Sequence, residues 1–239
     1  MNAPFRHGMS PEALRLTVDD FLLLKQAGAF SGFIKSELLE GELWGVPRPP
    51  DGEPESDATF PIKLRVEDYD RLDRAGAFGK DVKTELVDGL VYRMSPQYRQ
   101  HGFAKDELAY RLRRALEQLG SPLHVATEQS VELGPHSEPQ PDIVLTSEPR
   151  GEGAIPRKSV ALIVEVSITT LDFDLGEEAM IYAEAGILEY WVVDLKGKKL
   201  YVHSQPAPDG YPKPAAISFG ELVASISVAE LSVETTGLV

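Results

Sequence analysis

Cysteine is absent from this sequence, and positive charge is scarce: 24 lysines and arginines stand against 38 aspartates and glutamates, a formal net charge of −14. The first absence excludes disulfides, thiolate zinc sites and a cysteine nucleophile, so any metal must be held by oxygen or imidazole. It fits a reducing cytoplasm, where the protein is expected to reside. The second absence weighs against nucleic acid as a partner, because phosphate binding draws on a basic surface. DNA is disfavoured on that count but not removed, since carboxylates that hold a divalent cation add to the negative total. Long apolar runs are missing too. No stretch approaches the roughly 18 apolar residues a membrane helix needs, and the first sixteen residues lack an apolar signal core. The sequence therefore predicts a soluble, uncleaved protein without membrane contact. Nor is there a glycine loop to cradle phosphate, which weighs against a hydrolase of small phosphorylated substrates.

What is present begins with a core: 42% of the 239 residues are hydrophobic, enough for one large domain or one domain with an appendage. Sliding the chain against itself by 48 residues aligns LRLTVDDFLLLKQAGAFSGFIKSELLEGEL, from Leu14, with IKLRVEDYDRLDRAGAFGKDVKTELVDGLV, from Ile62. The tetrapeptide AGAF is common to both, and Leu24 pairs with Leu72, Glu37 with Glu85 and Gly41 with Gly89. With only two copies, a duplicated element is expected in place of a solenoid. Each copy reads as a short helix, Val66 to Ala75 in the second, followed by a hairpin pivoting on Asp88-Gly89 or its counterpart. Between the copies, VPRPPDGEPESDATFP reads as an exposed linker and sets a boundary near residue 58. The expected division is a first copy with linker, 1–58, and a main domain, 59–239.

Further along, Leu108, Leu112, Ala115 and Leu119 have helical spacing within an amphipathic helix over 97–119. Strands follow near Leu123 and from Asp142, and SVALIVEVSI from Ser159 is too continuously apolar for a half-exposed strand. A second helix, LGEEAMIYAEAG, stops on Gly186. EYWVVDLKGKKLYVHS then makes a hairpin turning at Lys196-Gly197, with Tyr190 and Trp191 in the core and Asp194 in a turn role.

Asp142 follows Pro141 at the head of one strand, and Glu165 sits between Val164 and Val166 inside the central one. A carboxylate there is costly unless paired or bound to metal. On neighbouring strands the two acids could converge on a hard cation such as magnesium, which suits phosphodiester hydrolysis. The plainer reading of Glu165 is a buried acid satisfied by lysine or backbone donors.

TELVDGLVYRMSP, then His101, SEPQPDIVL and VEVSITTLDFDLGEEAMIYAEAGILEYWVVDLKGKKLYVH resemble, in order and spacing, the Uma-two family of the PD-(D/E)XK restriction-endonuclease superfamily. The resemblance covers about residues 62 to 205, and AEAGILEYWVVD is its most specific part. It implies an α/β (α+β) fold, a restriction-endonuclease-like mixed β-sheet flanked by helices, with a nuclease site using magnesium (or manganese), and a homodimer. By the same resemblance Glu85, Asp142 and Glu165 are the site and metal residues. The chain departs from the pattern where lysine is expected: Ser167 stands two residues after Glu165, and Glu178 occupies the displaced position on the following helix. Lys105 or Lys83 is a candidate to replace that cation in space.

His101 reads either as a general base or phosphate contact at a helix start, or as a surface histidine. Arg99, Lys105, Arg111, Arg113 and Arg114 make the densest positive cluster, either a DNA-facing stripe or a solvated face. The favoured expectation is a magnesium-dependent endonuclease hydrolysing DNA phosphodiester bonds. The alternative is a catalytically silent member of the fold that acts in binding or assembly.

Overall fold

The computed structural model describes residues 13–50, 58–94 and 97–238. Residues 1–12, 51–57, 95–96 and 239, including the middle of the proline-rich linker, lie outside the described residues. The chain divides into two units, one of Glu12–Met94 with Pro135–Ser137 and one of the remainder.

The N-terminal unit runs α1 (Val18–Gln26), β1 (Phe33–Leu39), β2 (Glu42–Pro47), β3 (Phe60–Pro61), α2 (Val66–Arg74), β4 (Thr84–Val87) and β5 (Leu90–Arg93). The aligned stretches form the same local structure 48 residues apart. Ala29 N–H donates to the Leu24 carbonyl and Ala77 N–H to that of Leu72, both at 3.0 Å. Leu16 N–H reaches the Gly41 carbonyl as Leu64 N–H reaches Gly89. The hairpin turns Glu40-Gly41 and Asp88-Gly89 all have φ between 48° and 80°, the left-handed conformation a two-residue turn of this hand requires. A side chain at Gly89 would also strike the Lys63 backbone, its Cβ falling 2.7 Å from Lys63 Cα. Both halves share one apolar interior: Leu16, Leu24, Phe30 and Leu43 pack in a single cluster with Leu64, Tyr69, Leu72, Phe78 and Leu86. The division at 94/95 thus differs from the expected boundary near residue 58, because burial joins the two stretches across the linker.

The C-terminal unit contains α3 (Arg99–Leu119), β6 (His124–Thr127), β7 (Val131–Glu132), β8 (Ile143–Thr146), β9 (Ile155–Pro156) and β10 (Val160–Ser167). After β10 come α4 (Leu171–Phe173), a π-helical turn (Asp174–Glu178) and α5 (Ala179–Glu184). The chain ends with β11 (Glu189–Asp194), β12 (Lys199–Ser204), β13 (Ala215–Ser218), β14 (Leu222–Ala224) and β15 (Ser232–Glu234). Six strands form one mixed sheet in the order β13-β12-β11-β10-β8-β6, in which only β10 and β11 run parallel. The continuous apolar run of β10 is explained by this interior place, with both faces covered. Leu162, Val164 and Val166 pack with Leu108, Leu112 and Leu116 of α3, while Ile163 packs with Tyr182 of α5 on the opposite face. That alternation also turns Glu165 to the α5 side. Tyr190 and Trp191 are fully buried, and Asp194 Oδ1 accepts the Gly197 N–H at 2.7 Å in the hairpin turn.

Candidate active site

Asp142 and Glu165 come together because β8 and β10 are antiparallel neighbours, with Ile143 opposite Val164. Asp142 N–H donates to Glu165 Oε2 at 3.2 Å, and Val166 N–H donates to Asp142 Oδ2 at 2.8 Å. Each acid is thus oriented by the strand that carries the other. Asp142 is buried and Glu165 half-buried.

Around this pair the C-terminal unit gathers further polar groups. His101 Nε2 stands 3.1 Å from Asp142 Oδ2, while its buried Nδ1 meets no partner among the described residues. In the neutral ring, Nε2–H toward the carboxylate leaves Nδ1 as the bare acceptor. That geometry makes His101 an orienting donor to Asp142 more than a surface residue. One turn along α3, the buried Lys105 pairs with Glu128 and donates to Gln97 Oε1 at 2.8 Å. Gln97 Nε2 donates to Glu128 Oε1 at 2.7 Å and lies 3.5 Å from Asp142 Oδ1.

On the α5 side, the Tyr182 hydroxyl stands 3.2 Å from Glu165 Oε1 and 3.4 Å from Glu178 Oε1. Glu178 Oε2 is 3.4 Å from the Tyr190 hydroxyl. Burial, together with the nearby acids Glu178, Asp174 and Glu165, drives the Tyr190 hydroxyl well above its usual range, so it stays a donor. Asp174, on the same π-helical turn, accepts from Thr170 Oγ1 at 2.8 Å. Its pKa is pushed up to about 6, chiefly by burial and further by the charge of Asp142, against the lowering hydrogen bonds of Ser167 and Thr170.

Glu85 is half-buried in β4 of the N-terminal unit, with Tyr92 opposite it in the hairpin. Lys83 also belongs to that unit. Among the described residues no group of three or more histidine and acidic side chains is gathered as a ready-made metal cage. Two adjacent carboxylates still match a small hard cation that keeps most of its waters. Gln97, Glu128, Asp174 and Tyr182 were not singled out from sequence. The π-helical turn that carries Asp174 is the kind of local irregularity often found at functional sites, but helical periodicity conceals it.

The mixed sheet flanked by helices is similar in fold to the structure of a putative nuclease belonging to DUF820 from Anabaena variabilis ATCC 29413, with a TM-score of 0.52 at 15% sequence identity over 66% of this chain and 90% of that one. The family model Uma2, described as "putative restriction endonuclease", matches residues 66–235, and the chain belongs to that family. No match was found among curated proteins. Among the described residues no helix is long and apolar enough to cross a membrane.

Proposed function

We propose that the protein is a divalent-metal-dependent endonuclease that hydrolyses DNA phosphodiester bonds, with Asp142 and Glu165 holding magnesium or manganese. The observation that supports this reading is the reciprocal orientation of the two acids across β8 and β10. When bound, the ion would polarise a phosphoryl oxygen and acidify an attacking water. The residues of the chain set the stage for that. Val166 N–H and His101 Nε2 hold Asp142 Oδ2 in one orientation, and the Tyr182 hydroxyl holds Glu165 Oε1. Preset donors and acceptors of this kind need no rearrangement as charge develops.

The experiment is thermal unfolding with and without magnesium or manganese, joined to cleavage of plasmid and single-stranded DNA. We expect the ion to raise the melting temperature, and Asp142→Ala to abolish the shift. Cleavage should vanish in the Asp142→Ala/Glu165→Ala double variant. An unchanged melting temperature together with intact substrate would refute the proposal. The expected assistance of Glu85 has its own test, Glu85→Gln, which should lower the cleavage rate with folding preserved.

A second reading, a silent member acting in binding or assembly, is favoured by one observation: Ser167 and Glu178 stand where the family resemblance calls for lysine. A metal-induced shift without cleavage would select it. We also infer a homodimer working in a reducing cytoplasm, with the stretch around Glu37, a duplicate of the one around Glu85, used for packing or dimerisation. Sedimentation of the full chain as a monomer would remove the dimer from this proposal.

A further inference from the structure

The inward face of α3 changes character along its length. Leu108, Leu112 and Leu116 are apolar and buried, but His101 and Lys105, four residues apart on the same face, are turned toward the Asp142 corner. Lys105 is only 6% exposed, and an ammonium taken out of water is costly unless it is paired. Its partner Glu128 has φ of 52°, in the left-handed region where a residue with a side chain is strained. The Glu128 N–H donates to the Asp142 carbonyl at 3.2 Å, which ties this strained residue to the acid that heads β8. Gln97 completes the corner, bridging Lys105, Glu128 and Asp142 through one amide. An ion pair needed only for stability is replaceable by a packed apolar pair at little or no cost. Here both the burial and the strain go to holding one positive charge that Gln97 connects to Asp142.

We propose that Lys105 is the ammonium that meets the scissile phosphate, filling from α3 the place that Ser167 and Glu178 leave without a cation. This rests on the phosphodiesterase reading of the Asp142–Glu165 pair. In that reaction the oxygen of a water bonds to phosphorus and the bond from phosphorus to the leaving sugar oxygen breaks. One water proton passes to solvent, and the leaving oxygen takes up a proton. Negative charge gathers meanwhile on the phosphoryl oxygens, and an ammonium donating to one of them lowers the barrier. Glu128 holds the ammonium in readiness, and the phosphate displaces it as partner.

The test must separate this role from mere neutralisation of Glu128, since Lys105→Met alone would take the ammonium away from a half-buried carboxylate. The comparison is therefore Glu128→Gln with Glu128→Gln/Lys105→Met, both in the full chain beside wild type. One readout is manganese-dependent plasmid cleavage. The other is binding of a short single-stranded oligonucleotide in calcium, followed against salt. We expect the double variant to fold, to cleave at least about 100-fold more slowly than Glu128→Gln, and to show a log–log salt slope shallower by about 0.7, the loss of one phosphate contact. If the two variants agree in both readouts, Lys105 serves Glu128 alone and the proposal is overturned. If the slope changes while wild type cleaves nothing, the phosphodiesterase reading fails and Lys105 stands as a phosphate contact. Wild type that neither cleaves nor binds the oligonucleotide overturns both.

Discussion

The carboxylates of Glu165 and Glu178 are linked through a single donor, the hydroxyl of Tyr182, which lies 3.2 Å from one and 3.4 Å from the other. One hydroxyl has one proton to give, so it serves the two acids in turn. Burial makes the competition expensive when both are ionised.

Glu178→Gln keeps an oxygen that the Tyr182 and Tyr190 hydroxyls can reach, and removes one of the two negative charges. Its melting temperature at neutral pH should therefore rise by a few degrees, corresponding to about 1 kcal/mol in a chain of this size. A lower melting temperature, read by calorimetry, would mean that the charge of Glu178 is itself stabilising.

Asp174 sets a pH dependence of known sign. Its folded pKa, about 6, lies above the ordinary 3.8, so its neutral form is favoured by folding. That contribution is full below about pH 4 and is lost as pH rises through 6, a span worth at most about 3 kcal/mol. Asp174→Asn keeps the neutral form at every pH. Denaturant unfolding should find the variant gaining on wild type between pH 4 and 6 and holding that gain above; equal curves at pH 5 and pH 7.5 would contradict the assignment.

His203 works in the opposite direction. It is buried beside Tyr190 and Tyr211, with neither ring nitrogen hydrogen-bonded among the described residues, and burial lowers its pKa to about 4. The stability that comes from keeping it neutral is present above pH 6.5 and is lost as pH falls through 4. His203→Phe retains an aromatic ring and should be more stable than wild type at pH 5 relative to pH 7.5. Because Asp174 gains over much of the range in which His203 loses, wild type should vary less with pH than either variant. A wild-type profile steeper than both would show that other groups govern the acid limb.

Glu189 is fully buried at the start of β11 and is satisfied throughout. Oε1 takes the Trp191 Nε1–H at 2.7 Å, and Oε2 takes the main-chain N–H groups of Ile226 and Ser227 with the hydroxyls of Ser225 and Ser227. Glu189→Ala orphans all of these donors, and about 3–5 kcal/mol should be lost. Hydrogen exchange should quicken first at Ile226 and Ser227; protection unchanged there would deny Glu189 its anchoring role.

What could be read from the sequence depended on how locally each feature is encoded. Asp88-Gly89 announces its turn because only a few residue types take positive φ readily, and SVALIVEVSI announces a central strand because both faces must be apolar. Asp142 and Glu165 were recognisable as a pair once two neighbouring strands were granted. Lys105 was only a spatial candidate, because a lysine on a helix of mixed charge looks solvated until the partner that follows β6 is known. Glu128, just past that strand, gives no sign of its backbone strain. Glu189 joins residues nearly forty positions away, and no periodicity carries such a contact. The boundary near residue 58 followed composition, whereas the packing of Leu24 and Phe30 with Leu72 and Phe78 follows complementarity that composition does not record.

That shared interior ties the histories of its two halves. A larger side chain at Leu24 must be accommodated by the walls that also enclose Leu72, so neither stretch is at liberty to drift alone. Substitutions tolerated in one should depend on what stands in the other, and a chain trimmed to the family-matched residues 66–235 would carry half of that interior with its lining laid bare to water.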